Sequence, residues 1–253
     1  MRIFLKTEDE IILLRAASQL ATRALIEVGR HVVPRLALSH LRNKVVNAVM
    51  RTVPTESNSG KEALSSDTEF TFFVNGAYIE PSLEGECMLC EGDWLTVNCW
   101  VCLDGYYSFG AHTFIVGSSQ DDEPLTFTLR DMLRQVVRRA SADHSIKEMS
   151  RTVYSLHSHD PYVLQKTFGH GVGRKRVENP ILRMNPGVND AVLLKEGMCL
   201  VIALAFKHGR SHLIKPRLMH ESTFHNPFVP FGTTVVVRPG RPEILTSFET
   251  IVK

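Results

Sequence analysis

Apolar residues recur at helical spacing through Leu13, Ala17, Leu20, Ala21 and Ala24, which predicts a helix over residues 8–31 with one buried face. Thr7 and Glu10 mark its start, a pair whose side chains reciprocally satisfy free amides at a helix N-terminus, and Pro34 bars its continuation. Leu41, Val45 and Val49 repeat the pattern in a second helix from Ser39 to Val53. Residues 54–67 (PTESNSGKEALSSD) lose all periodicity and are expected to form a mobile surface loop. Strand patterning follows at Phe70–Val74, Trp94–Leu103 and His112–Val116, the last two joined across Asp104-Gly105, a dipeptide that favours a tight hairpin. Helical spacing returns between Glu123 and Leu156, with Leu129, Leu133, Val136 and Val137 inward in one helix and Ile146, Met149 and Val153 in the next. Strands reappear at Met198–Phe206, at Thr233–Val237 and near Glu243–Thr246. Helices followed by strands, twice over, predict a duplicated α+β unit.

Composition narrows the class. A chain of 253 residues that is 43% hydrophobic can bury a sizeable core, and its length favours one large domain or two small ones. The longest apolar run, Met198–Phe206, falls well short of the roughly twenty residues that cross a bilayer, and Met1–Ile11 carries charge where a signal peptide is apolar. The expectation is a cytoplasmic protein with no membrane partner. Residues 1–125 hold 10 Lys and Arg against 17 acids, whereas residues 126–253 hold 19 against 10. That asymmetry fits either two halves that attract each other or a basic surface for RNA, the ribosome or an acidic protein.

Cys87, Cys90, Cys99 and Cys102 form two CxxC pairs, the spacing of a zinc site. On a strand, however, positions three apart face opposite ways, so Cys99 and Cys102 share a metal only if the chain turns sharply between them; otherwise they are small buried hydrophobes.

GHGVGR (169–174), LKEGM (194–198), the strand pair from Gly92 to Gly117, KTEDEIILLRAA (6–17) and TTVVVRPGRPEILT (233–246) together resemble methionine aminopeptidases of the pita-bread family over nearly the whole chain. The resemblance implies a pseudo-twofold α+β fold whose curved antiparallel sheet, covered by helices, holds two divalent ions between two Asp, one His and two Glu. Such ions clamp an attacking water and the scissile bond. Counting from the flanking motifs, the two Asp positions fall on Asn98 and Phe109, the His on His170, and the two Glu on Ala203 and Gly232. Glu249 imitates the last Glu but leaves too little chain for the hairpin that should follow it. Only His170 keeps a ligand, so the family's dinuclear centre is not expected to assemble and no metal cofactor is expected. Asn75 stands at the family's HGxP histidine, Val177 at its second His after GHGxG, and Arg176 at a pocket aromatic.

The resemblance therefore implies a non-catalytic homologue that serves as a binding module, with Asn75, Asn98, Phe109, His170, Ala203 and Gly232 around an altered pocket. Its partners would be the ribosome, RNA or an acidic protein, met through Arg134, Arg138 and Arg139 on a predicted helix, Arg174-Lys175-Arg176 and Lys207–His220. A small molecule in the altered pocket is a further possibility. The alternative is an active metal-dependent aminopeptidase or other hydrolase with a rearranged site, for which the chain offers no GxSxG and no Cys with a motif partner.

Overall fold

Thr7 caps the first helix, α1 (Glu8–His31), as its sequence requires: its hydroxyl accepts from the Glu10 amide while the Glu10 carboxylate takes the Thr7 amide. Such a box contributes about 1 kcal/mol. The structure, a computed structural model, describes residues 2–52, 67–117, 124–159, 167–185, 192–207, 228–247 and 251. The loop expected at 54–67 therefore lies, apart from Asp67, outside the described residues, as do residues 208–220 of the third basic surface and Glu249.

α1 packs beside α2 (Leu38–Thr52), whose Leu41, Val45 and Val49 are buried as their spacing requires. The strands are β1 (Glu69–Val74), β2 (Ala77–Tyr78), β3 (Trp94–Leu103) and β4 (Tyr106–Ile115). Then come α3 (Pro124–Arg138), α4 (Ile146–His159), β5 (Thr167–Gly171), β6 (Glu178–Arg183), β7 (Cys199–Lys207), β8 (Phe228–Val236) and β9 (Glu243–Ile244). The β3–β4 turn is built on Asp104 and Gly105, both at positive φ, as the dipeptide predicts. β4 begins six residues earlier than its apolar pattern suggests, because Tyr106 to Ala111 pair directly with β3. The sequence pattern gave no warning of β2, β5 or β6.

All nine described strands join one antiparallel sheet in the order β2-β1-β3-β4-β8-β7-β5-β6, with β9 alongside β8. Six of these are arranged as two matching triplets, β1-β3-β4 and β5-β7-β8, which meet at the β4–β8 seam. α1 covers β3 and β4; α3 covers β7 and β8. This is the pseudo-twofold α+β arrangement that the resemblance implies.

Strand alternation sorts the sheet into two faces. Phe70, Phe72, Val97, Cys99 and Phe114 are buried with α1 and α2, while Leu200, Ile202, Leu204 and Phe231 are buried with α3 and α4. Both helix layers therefore lie on one side. No described helix is long and apolar enough to cross a membrane.

Candidate functional site

The opposite face of the sheet carries the residues singled out by counting. His170 pairs with Val201, and Ala203, two residues on, pairs with Gly232. Gly232 pairs in turn with Ala111, and Ala111 with Asn98. Direct partners share a face, so the register lines up Asn98, Ala111, Gly232 and Ala203 across four strands. Phe109 lies on the same face, two residues before Ala111 and opposite Trp100.

Phe109 dominates this face. A Cβ placed on Gly232 would sit 2.7 Å from Phe109 Cε1 and 3.1 Å from the Ala203 Cβ, so the ring occupies the volume a side chain at 232 would enter. The Phe109 ring also meets Trp100 at 4.8 Å between centroids, and Trp100 lies nearly parallel to the His170 imidazole at 6.1 Å. Sequence reasoning missed Trp100, although its even spacing from Asn98 along β3 places it on this face.

The seam beneath Phe109 is held by hydroxyls. Ala111–Gly232 is the single register pair joining β4 to β8 among the described residues. Thr234 Oγ1 accepts from the Phe109 amide and donates to the Phe109 carbonyl, each at 2.9 Å, and Thr246 Oγ1 donates to that carbonyl at 3.0 Å. Ser108 meets Ser18 of α1 at 2.6 Å, and all four hydroxyl residues are fully buried. These groups satisfy backbone that a regular ladder would have paired.

His170 is a half-buried imidazole whose Nδ1 lies 2.9 Å from the Gly171 carbonyl oxygen. That contact makes Nδ1 the protonated nitrogen and leaves the Nε2 lone pair without a hydrogen-bond partner among the described residues. Burial holds its pKa below the usual imidazole value, against the opposing pull of the carbonyl. The GHGVGR glycines have a mechanical role here: a Cβ on Gly169 would collide with the Val201 carbonyl oxygen, so only glycine lets β5 approach β7 so closely. Asn98 is half-buried, and its Oδ1 has no hydrogen-bond partner among the described residues.

Asn75 bonds to none of these residues. It occupies a turn at φ 53, its amide nitrogen donates to Asp93 at 2.9 Å, and its carbonyl oxygen accepts the Trp94 amide at 2.9 Å. Its side chain is thus engaged in fastening the β1–β2 turn to the start of β3. The cysteines behave as strand parity requires: Cys99 is buried on the helix face, whereas Cys102 lies opposite Tyr107 on the other. All five are free thiols. Among the described residues no three His, Cys, Asp or Glu side chains cluster as metal ligands.

The two described basic groups sit on different parts of the fold. Arg138 and Arg139 are exposed at the end of α3, where Arg139 meets His144, and Arg134 is half-buried on the same helix. Arg174, Lys175 and Arg176 occupy the β5–β6 turn. Arg176 is not a free cation: it donates to Glu69 at 2.7 Å and to the Asp67 carbonyl at 2.5 Å, and lies over the Trp100 and Tyr107 rings. Arg174 lies over Tyr106 and 3.8 Å from Glu10. The expected surface Arg174-Lys175-Arg176 is therefore partly consumed within the chain.

Residues 12–238 match the model of metallopeptidase family M24. A methionine aminopeptidase of Clostridium perfringens is 26% identical over 248 residues, 96% of this chain and 98% of that one. A methionine aminopeptidase of Helicobacter pylori is 28% identical over 225 residues, covering 85% and 87% respectively. Among solved structures, the methionine aminopeptidase of Thermotoga maritima superposes with a TM-score of 0.78 at 21% identity, over 97% of this chain and all of that one. The prolidase of Pyrococcus furiosus superposes at 0.72 with 18% identity, over 97% of this chain and 66% of that one.

Proposed function

The chain belongs to metallopeptidase family M24, and within that family we propose that it is a metal-free, non-hydrolytic methionine aminopeptidase homologue that works as a binding module for another protein. The observation that supports this reading is the closeness of the Phe109 ring to Gly232, where an added Cβ would stand 2.7 Å from Phe109 Cε1, so that apolar surface lies at positions for which the resemblance implies carboxylates. Of the residues at the implied ligand positions, His170 fits a metal, because its Nε2 lone pair has no hydrogen-bond partner among the described residues and its ring is fixed by the Gly171 carbonyl. The remaining four do not: an amide, a phenyl ring, a methyl group and a hydrogen supply no negative charge. Two hard dications need anionic oxygen ligands, and an uncompensated buried charge costs several kcal/mol. The residues do not fit the dinuclear centre.

A hydrolase rebuilt around another nucleophile finds little support in the thiols. Burial pushes Cys99 far above the ordinary thiol range and raises Cys199 to about 12, so both are held protonated. Hydrolysis of a Met-initiated peptide, with Mn²⁺, Co²⁺ and Fe²⁺ each supplied in excess, tests the reading. No turnover above the metal-ion blank is expected; turnover that is abolished by His170→Ala would overturn it.

A further inference from the structure

We infer that the groove between the N-terminal segment and the β5–β6 turn binds an acidic protein segment that presents an apolar side chain, which rests on the binding-module reading and gives it a partner class. The groove encloses about 560 Å³ and is lined by Arg2, Phe4, Leu5 and Lys6 on one side and by Arg174, Lys175, Val177 and Ile181 on the other. That volume falls within the range of about 300–1,000 Å³ typical of ligand pockets. Phe4, Leu5 and Val177 are each about half exposed, at 48%, 50% and 55%, and together form an apolar strip within one groove. Buried apolar centres ringed by charge are the usual anatomy of a protein interface.

The charges around the strip favour an acidic occupant. The two carboxylates that line the groove among the described residues are already engaged. Glu178 accepts from Lys6 at 2.6 Å, both side chains being less than a tenth exposed, and Glu10 takes the Tyr106 hydroxyl at 2.7 Å and the Thr7 amide at 3.0 Å. Arg2, Arg174 and Lys175 remain on the rim, and Arg174 is 71% exposed even though it lies near Glu10. Single-stranded RNA suits the groove less well. Phe4, the one aromatic among the described residues lining it, already has Arg2 at 4.8 Å and Lys6 at 5.6 Å over its ring, where a base would stack. Val177 stands where the resemblance implies a histidine, so this wall is apolar because of the same motif that lost its peptidase residues.

Fluorescence polarisation with a labelled peptide of mixed Glu and Leu tests the inference, with a Lys and Leu peptide and an oligouridine as controls. The acidic peptide is expected to bind the full chain at low salt and to weaken as salt rises, while the basic peptide does not bind. Val177→Asp and the pair Arg174→Glu with Lys175→Glu are each expected to weaken binding by at least about tenfold, the effect of losing one central contact. All three side chains are exposed, and an unchanged urea midpoint checks that each variant keeps the fold. Failure of the acidic peptide to bind at low salt, binding indifferent to both variants, or equal binding of oligouridine through the same residues would overturn the assignment. Metal content measured on the same sample separates the two readings. A metal-free protein that ignores the peptide removes only the partner class, whereas a metal-loaded, hydrolytic protein that binds it removes only the parent reading.

Discussion

Adding one methyl group at residue 232 probes the altered site directly. In a strand with room to spare, Gly→Ala gains about 0.5–1 kcal/mol, because glycine loses the most backbone freedom on folding. At Gly232 the new Cβ would stand 2.7 Å from Phe109 Cε1, well inside contact distance. Phe109 has little room to withdraw, since Trp100 flanks its ring at 4.8 Å and its backbone is fixed by Thr234 and Thr246. The collision therefore wins, and Gly232→Ala should destabilise by about 1–3 kcal/mol, the usual cost of overpacking. Phe109→Ala alone should cost about 3–5 kcal/mol, because the ring is 8% exposed and leaves a cavity. In the double variant the methyl enters vacated space. The two effects should then fall short of additivity by about 1–3 kcal/mol, measured in urea at unchanged m-value. Gly232→Ala at or above wild-type stability, together with additive effects in the double variant, would show that the ring does not fill this volume.

Thr234→Val keeps the shape but strands the buried Phe109 amide. It should cost about 1–3 kcal/mol, or several degrees in Tm, whereas Thr234→Ser should stay near wild type; equal losses in both would remove the hydroxyl from the seam. Thiol titration should find Cys90 reacting fast in the native protein and all five cysteines reacting in urea, since Cys90 alone is exposed; fast native labelling of Cys99 or Cys199 would contradict the packing. His170 should titrate below the usual value of about 6.5 by NMR. The unfolded chain then binds more protons across that window, so its contribution to stability is full above the usual value and is lost as pH falls through the depressed one. A midpoint at or above the usual value would mean that the ring is solvated.

The helices and long strands were legible because each buries one face, which imposes a 3.6- or 2-residue period on Leu, Val and Ile; α1 and β3 follow their patterns within a residue. β5 and β6 were not. The period of β5 is masked by glycines that serve close strand approach, and β6 alternates only weakly at the sheet edge. Counting from motifs placed Asn98, Phe109, His170, Ala203 and Gly232 on one face because strand alternation converts sequence offset into direction. The same method failed to warn that Asn75 would use its side chain on Asp93 and Trp94, or that Arg176 would bond Glu69, since both depend on pairings distant in sequence. Trp100 was overlooked because nothing in the motif set pointed to it.

Ion stoichiometry puts the donor chemistry of the sheet face opposite the helices to the sharpest test. Purified chain equilibrated with excess Mn²⁺ or Co²⁺, then dialysed, should retain well under one ion per molecule, with no change on His170→Ala. Retention of two ions per chain, released by that substitution, would mean that carboxylates reach the cradle after all.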